Sequence, residues 1–361
     1  MKKVVILQKY RAPYRVPLFN EIARWPGIDL TLLYYGRREV RRNWTYFPER
    51  AFNEMQSLCV SIRAGYERNL ELPLSLLNDL KRIRPEMIIC APDIGGIAAY
   101  LYGRRTAASY AVWSEATPAT EANKSVLKRR LRKAFYSGAE SFIVPGTLAE
   151  AYIRSYRRDV PVHVAPNSVE EKNFSMTVEE LSAKFNNDRL IITFSGSLVE
   201  RKGIHVLLES FSRLMREQPE LQERCLLRIL GTGPMDLSGY KGRNIEFAGF
   251  CERQTYSDHL KSSHIFVLPS LSDNNPLTVV EALFSGNVMV LADGVGNHPE
   301  AIRGNGVVVP SGSVTGMTLA LKRILTLPRN ELASMASASL DIAKEFSVER
   351  AASGFCKAIW T

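Results

Sequence analysis

Short apolar runs alternate with helical patterns along almost the whole chain, and this alternation most constrains the fold. It is typical of βαβ units, in which helices join parallel strands and cover the sheet. Helical patterns lie, for example, at Pro73–Ile83 and Lys124–Tyr136. The predicted strands are Val4–Leu7, Leu30–Tyr35, Met87–Ala91, Ala111–Trp113, Phe142–Val144, Val162–Ala165, Leu190–Phe194, Leu226–Leu230, Ile265–Leu268, Val288–Leu291 and Val307–Val309.

A polar stretch at residues 167–188 interrupts this alternation and is poor in strand-forming residues. The chain has 361 residues, which is enough for two domains of ordinary size. We therefore predict two doubly wound, Rossmann-like α/β domains at residues 1–168 and 189–345, joined by a linker at 169–188. Ligands are expected beyond the carboxyl ends of the strands, in a cleft between the domains.

The excess positive charge is confined to the first half of the chain. Residues 1–170 hold 27 Lys and Arg against 16 Asp and Glu, a net charge of +11. Residues 171–361 hold 20 against 21, a net charge of −1. The two halves are therefore expected to meet different partners, and nucleic acid, an anionic membrane and phosphorylated ligands all fit the basic half.

Simple features exclude several classes of protein. Only four apolar residues, Val4–Leu7, follow the basic N-terminus, fewer than a secretory signal needs, and no run approaches the length of a membrane-spanning helix. The five cysteines are dispersed, without CxxC or a histidine at metal-ligand spacing. We expect a reduced, cytoplasmic protein without structural zinc.

The loop after the first predicted strand lacks the GxGxxG pattern of a dinucleotide site. It reads Gln8-Lys9-Tyr10-Arg11-Ala12-Pro13-Tyr14-Arg15, which is basic and aromatic. This argues against a nicotinamide or flavin cofactor. Arg11 and Arg15 are instead candidate contacts for an anionic acceptor or a membrane.

The first of three informative strand ends in the second half is the turn Gly196–Gly203. Arg201 and Lys202 lie there at the start of the next helix. Two cations in that position can neutralise a diphosphate, and a solvated charged turn is the alternative.

The second strand end is followed by a predicted helix, Pro276–Ser285, with Asn275 as its N-cap. This start leaves the amides of Leu277 and Thr278 available to an anion.

Two carboxylates belong to the same segment. Asp273 lies in the loop, and Glu281 lies in the helix among apolar neighbours. A carboxylate in such surroundings usually has a fixed hydrogen-bond partner, either a ribose diol or a group in the core.

The third strand end carries the glycine-containing loop Gly294–Glu300, which is expected to expose backbone amides before a short helix. His298 in this loop is expected either to approach a bound sugar or to cap the helix. A weaker fourth element is the loop Leu230–Pro234, which contains Gly233.

In this order, the turns resemble the retaining, nucleotide-sugar-dependent enzymes of glycosyltransferase family 4, which have the two-domain GT-B fold. The family's G-x-L-x-x-x-K-G turn appears as Gly196–Gly203, and its E-x7-E signature as Asp273 to Glu281 with Asp in the first place. The family's G-G-x-x-E pattern appears in an altered form, with different spacing, at Gly294–Glu300. The strand that follows this pattern in the family matches Gly306–Pro310. The resemblance also implies that residues 346–361 form a helix that returns to the first domain.

The resemblance assigns roles to individual residues. It implies that Arg201 and Lys202 hold the donor diphosphate, that Glu281 binds the ribose, and that Asp273 contacts sugar hydroxyls near the anomeric carbon. Further candidates for donor contact are the backbone or side chains of Gly196, Ser197, Gly233, Asn275, Leu277 and Thr278, with Phe250 near the base.

The implied reaction moves a hexose from a UDP- or GDP-sugar to a hydroxyl of a glycan or lipid-linked acceptor, with retention of configuration. Cations at the departing diphosphate stabilise the charge that develops there. With Arg201 and Lys202 in that role and no DxD motif in the sequence, neither a metal nor another cofactor is expected. Glu115, after the strand Ala111–Trp113, is expected to position the acceptor hydroxyl or to be a surface carboxylate.

A basic amphipathic helix is predicted in the first half, with Lys124, Lys128, Arg129, Arg130, Arg132 and Lys133 interleaved with apolar residues. A second basic and aromatic cluster lies at residues 37–47. A basic amphipathic helix can bind an anionic membrane, and this one is expected either to do so or to be a solvated helix whose apolar residues pack on the core. Membrane contact would place the protein at the inner face of the cell membrane, as in envelope glycan assembly.

Two other functions fit part of these features. A GT-B nucleotide-sugar epimerase has the same layout but needs no acceptor. A nucleic-acid-binding protein would use the basic half, but the sequence has no helix-turn-helix, RRM or zinc signature. No nucleic-acid partner is therefore expected.

Overall fold

A computed structural model describes residues 1–36, 49–63, 69–121, 126–187, 189–240, 242 and 244–361. The chain divides into two compact units. The first comprises residues 1–116, 121–168 and 348–361, and the second comprises residues 117–120 and 169–347.

The elements of the first unit follow in chain order, with α4 shared at the boundary. They are β1 (Lys2–Gln8), α1 (Val16–Ala23), β2 (Ile28–Tyr34), β3 (Asn53–Gln56), β4 (Cys59–Arg63), β5 (Asn69–Pro73), α2 (Leu76–Ile83), β6 (Met87–Cys90), α3 (Ile94–Gly103), β7 (Ser109–Trp113), α4 (Pro118–Glu121), α5 (Val126–Ser137), β8 (Ser141–Val144), α6 (Thr147–Arg154) and β9 (Val162–Val164).

The elements of the second unit follow in the same way. They are α7 (Val178–Phe185), β10 (Leu190–Ser195), α8 (Ile204–Glu217), α9 (Leu221–Arg224), β11 (Cys225–Leu230), β12 (Ile245–Gly249), α10 (Arg253–Ser262), β13 (Ile265–Leu268), α11 (Leu277–Phe284), β14 (Val288–Ala292), α12 (His298–Ala301), β15 (Gly306–Val309), α13 (Val314–Leu325) and α14 (Arg329–Ala343). The last helix, α15 (Val348–Trp360), belongs to the first unit.

The described strands of the first unit form a parallel sheet in the order β3-β2-β1-β6-β7-β8-β9, beside an antiparallel hairpin of β4 and β5. Successive side chains of a strand point to opposite faces. Val4 and Ile6 therefore pack with α1 and α15, whereas Val5 and Leu7 pack with α2, α3, α5 and α6. Helices thus cover both faces, as a buried parallel sheet requires.

The described strands of the second unit form a parallel sheet in the order β12-β11-β10-β13-β14-β15. The chain leaves β10 towards one edge and later crosses to β13 on its other side. Both units therefore have the doubly wound topology, and the predicted fold class is confirmed. Helix α15 packs on α1, β8 and β9 within the first unit.

The segment predicted as a linker, residues 169–188, contains a packed helix. Leu181 and Phe185 of α7 are buried in the core of the second unit. They are spaced by four residues, so they lie on one face of the helix. A capping box at Thr177 and Glu180 fixes its start.

The sequence prediction missed the strands β3, β4, β5 and β12. Both β3 and β12 lie at sheet edges, where Asn53–Gln56 is mostly exposed and Ile245–Gly249 is partly exposed. Neither therefore contains the continuous apolar run of a buried strand. Within the part of the chain that the structure describes, no helix is long and apolar enough to cross a bilayer.

The close approach of α15 to the sheet predicts a stability effect at Gly354. A Cβ atom there would lie 2.3 Å from the Val164 carbonyl oxygen, which is backbone and cannot move aside cheaply. We expect Gly354→Val to lower the free energy of unfolding by about 1–3 kcal/mol. Thermal denaturation should show a melting temperature lower by roughly 5 °C. Gly239→Val is the matched control because a Cβ at Gly239 meets nothing within 4 Å, and an equal loss in both variants would contradict the prediction.

Candidate functional site

Glycines bring the carboxyl ends of β10, β11 and β12 close together. The Gly231 amide donates to Gly249 O at 2.7 Å, and the Gly196 amide donates to Leu230 O at 3.0 Å. Gly231 has a φ of +133°, and a Cβ there would lie 2.0 Å from Gly196 O. This approach places the predicted contacts Gly196, Ser197, Gly233 and Phe250 along one edge of the second sheet.

Lys202 is held by a tight turn between β10 and α8. Gly203 closes the turn with a φ of +66°, and a Cβ there would lie 2.0 Å from Pro269 O. The Lys202 ammonium donates to the Asp273 carboxylate, and the two side chains are only 11% and 14% exposed. The turn is also tied to the loop after β13, since the Leu271 amide donates to Arg201 O at 2.9 Å.

Asp273 is fixed by the loop after β14. Its amide donates to Gly294 O at 2.9 Å, and its carbonyl accepts from the Gly296 amide at 2.8 Å. A Cβ at Gly296 would lie 1.7 Å from Asn274 O. The amide of Gly296 is therefore used to hold Asp273, and the prediction that this loop exposes its amides is wrong there.

Helix α11 begins one residue later than predicted. Pro276, with φ −71° and ψ 126°, is the N-cap, so the prediction of Asn275 as the cap is wrong. Proline disfavours a helical conformation for the residue before it, which keeps Asn275 out of the helix. Leu277 and Thr278 are then first-turn residues whose amides have no carbonyl partner within the helix.

Two buried hydroxyl groups lie at this helix start. Ser270 Oγ and Thr278 Oγ1 have no hydrogen-bond partner among the described residues. A buried hydroxyl without a partner is costly, so its presence at a strand end points to a polar ligand.

Glu281 contacts a tyrosine that the sequence analysis missed. Tyr256 of α10 donates to Glu281 Oε2 at 2.7 Å. Burial raises the pKa of Glu281 to about 7, although the bond from Tyr256 and the charge of Arg253 oppose this. Burial also raises the pKa of Tyr256 well above its ordinary value. A lone aromatic residue in a polar helix gave no signal of this pairing.

His298 is the first residue of α12. Its Nδ1 lies 2.8 Å from Val295 O in the preceding turn, so the ring is tied to its own loop.

Glu115 belongs to a polar cluster at the carboxyl edge of the first sheet. Its Oε1 accepts from Asn167 Nδ2 at 3.0 Å and lies 3.5 Å from Arg15 Nη2. The Arg15 guanidinium stacks 4.2 Å from the centre of the Trp113 ring. Arg11 lies apart from this cluster, in an ion pair with Glu54 at 3.3 Å.

The basic helix α5 divides into buried and exposed residues. Arg132 contacts Glu121 and Tyr152 and is 16% exposed, so its assignment to a membrane-facing or acceptor-facing surface is wrong. Arg129, Arg130 and Lys133 are exposed. Lys124, the side chain of Lys128 and the cluster at residues 37–47 lie outside the described residues.

In the described ranges, no three His, Cys, Asp or Glu side chains are grouped as metal ligands. The acidic residues of the second unit's site are already engaged, Asp273 with Lys202 and Glu281 with Tyr256.

Comparison with known proteins finds a family model that matches most of the second unit. Residues 177–339 match the model for "Glycosyl transferases group 1", which confirms the predicted resemblance for that region. A D-inositol 3-phosphate glycosyltransferase from Streptomyces bingchenggensis is 26% identical over 180 residues, which cover 46% of this chain and 39% of that protein. The chain thus matches less than half the length of this curated relative.

Solved structures extend the likeness to the whole fold. A sucrose-phosphate synthase from Thermosynechococcus elongatus has a TM-score of 0.75 at 14% identity, covering 100% of this chain and 98% of that chain. Anabaena HepE, solved in complex with UDP, has a TM-score of 0.75 at 12% identity, covering 100% of both. These TM-scores confirm the GT-B fold. At 12–14% identity the likeness is one of fold and not of activity.

The buried Glu281 predicts a dependence of stability on pH. The pKa of its carboxyl is higher in the folded chain, about 7, than in the unfolded chain, so the folded state binds a proton more tightly. Its contribution to stability is therefore present below about pH 4.5, the ordinary pKa of a glutamate, and is lost as the pH rises through 7.

Urea denaturation at several pH values between 5 and 8 measures this effect. Relative to Glu281→Gln, the native chain should lose unfolding free energy as the pH rises. A difference between the two that stays constant with pH would contradict the assignment.

Proposed function

Because residues 177–339 match the model for group 1 glycosyl transferases, we propose that this chain is a retaining hexosyltransferase that uses a UDP- or GDP-sugar. The acceptor hydroxyl is proposed to belong to a glycan or lipid-linked molecule of the cell envelope. The second unit binds the donor in this proposal, and the first unit binds the acceptor.

The observation that carries the proposal is the set of polar groups in the turn after β10 and in the loop and helix that follow β13. The Lys202 ammonium is largely buried beside Asp273, and the first-turn amides of Leu277 and Thr278 have no carbonyl partner within α11. The hydroxyls of Ser270 and Thr278, which have no partner among the described residues, belong to the segment that follows the same strand. Cation, amides and hydroxyls at a helix N-terminus fit a diphosphate.

These residues suit the loss of a diphosphate. The bond between the anomeric carbon and the diphosphate oxygen breaks with its electron pair on the diphosphate. The acceptor oxygen bonds to that carbon, and its proton passes to the departing diphosphate. Lys202 and Arg201 are proposed to stabilise the developing charge, because it is larger in the transition state than in the bound donor. Asp273 orients the Lys202 ammonium and contacts sugar hydroxyls.

An anionic acceptor fits the first unit. The named relative acts on an inositol phosphate, and one similar structure is a sucrose-phosphate synthase. In this chain Arg15, held between Trp113 and Glu115, is proposed to contact an acceptor phosphate while Glu115 positions the hydroxyl. The basic charge of the first half favours an acceptor presented at an anionic membrane surface.

Lys202→Ala should lower kcat about 10²–10³-fold, because one charge-stabilising group is removed. Lys202→Ala also leaves Asp273 without its ion-pair partner. The double variant Lys202→Ala/Asp273→Asn separates this effect from the loss of the cation at the diphosphate. If Lys202 serves only to neutralise Asp273, the double variant regains activity. Under the proposal it stays at least as slow, and the exposed Lys322→Ala is the unaffected control.

A panel of UDP-, GDP-, ADP- and CMP-sugars in a thermal-shift assay should show stabilisation by a UDP- or GDP-sugar, with the same shift in the presence of EDTA. The shift follows from binding to the folded state alone. A requirement for a divalent cation would overturn the proposed metal independence. Conversion of the sugar without any acceptor would instead identify an epimerase.

A further inference from the structure

The hairpin of β4 and β5 has one face made of exposed apolar side chains. Val60 pairs with Leu72 and Ile62 pairs with Leu70, and the Leu74 amide extends the pairing to Leu58 O at 2.8 Å. The six residues Leu58, Val60, Ile62, Leu70, Leu72 and Leu74, which we call the hairpin face, are between 38% and 65% exposed. Exposed apolar side chains grouped in this way usually mark a site that binds a membrane, another protein or a ligand.

The opposite face of the hairpin is anchored to the first unit. Glu71 is buried and accepts from Tyr10 at 2.8 Å and from Ser61 at 2.9 Å, and Cys59 lies beside it at 3.2 Å. Lys9 Nζ also donates to Asn69 O at 3.0 Å. The two faces are therefore distinct, and these anchors keep the hairpin face outward.

Exposed basic residues lie on, or directly after, the helices α2, α3 and α5, which cover one side of the first sheet. Helix α2 follows the hairpin directly and packs against α3, which packs against α5. Helix α3 adds an exposed apolar stripe of Ile94, Ile97 and Leu101. The exposed basic residues are Lys81, Arg82, Arg84, Arg104, Arg105, Arg129, Arg130 and Lys133.

We propose that the hairpin face inserts into the surface of an anionic lipid bilayer, with the basic residues of α2 and α5, and those that directly follow α2 and α3, binding the headgroups. Apolar insertion together with charge attraction is what stable peripheral binding needs. A second copy of the chain fits less well, because a symmetric contact would bring two basic surfaces together. The proposal rests on the function proposed above, and it places the first unit at the membrane surface, where a lipid-linked acceptor lies.

The test is binding of the full chain to vesicles of phosphatidylglycerol and phosphatidylcholine, and to phosphatidylcholine alone, without donor or acceptor. The native chain should sediment with the anionic vesicles. The double variant Ile62→Asn/Leu70→Asn should lower the partition coefficient at least about tenfold, because apolar area no longer leaves water. Leu319→Asn is the matched control, since Leu319 is 61% exposed on α13 of the second unit.

A tryptophan at the hairpin reports insertion directly. Leu70→Trp should gain fluorescence that brominated lipids quench, whereas Leu319→Trp should not. No binding of the native chain, equal binding of the double variant, or a dimer that the double variant dissociates would each overturn the proposal. Since the assay contains no sugar donor, and donor stabilisation of the variants is measured separately, failure here leaves the transferase proposal standing.

Discussion

The ion pair of Lys202 and Asp273 ties together the loops on which the second unit's site depends. One partner comes from the turn after β10 and the other from the loop after β13, and the loop after β14 holds Asp273 by its backbone. A largely buried ion pair adds little net stability, because desolvation offsets the attraction, but removing one partner is costly. Its value here is positional, since it fixes a cation beside the loop that leads into α11.

Close backbone approaches are the second constraint. Gly203, Gly231 and Gly296 each have a carbonyl oxygen within 2.0 Å of the position a Cβ would take. Because glycine has no side chain at these positions, one strand-end loop can pack directly against the backbone of the next. The polar groups at the ends of several strands are thereby held near one another. Looser loops would lose more conformational entropy on being ordered in the same positions.

The two units differ in what their charges do. In the second unit, whose net charge is close to neutral, the cation of Lys202 is compensated by a carboxylate within the unit. In the first, several basic residues remain exposed on α2 and α5 and directly after α3, while Arg15 and Arg132 are used in packing and ion pairs. The basic excess of the sequence is thus partly structural and partly available to a partner.

The sequence by itself determined both parallel sheets apart from their edge strands β3 and β12, because buried strands need apolar runs. It also located the strand-end turns that carry Lys202 and Asp273. It did not reveal the partner of Glu281, the inward direction of Arg132 or the exposed face of the hairpin. These depend on residues distant in the chain, such as Tyr256 and Glu121. Local pattern fixes which residues share an element, but only tertiary packing decides which face meets a partner, the core or water.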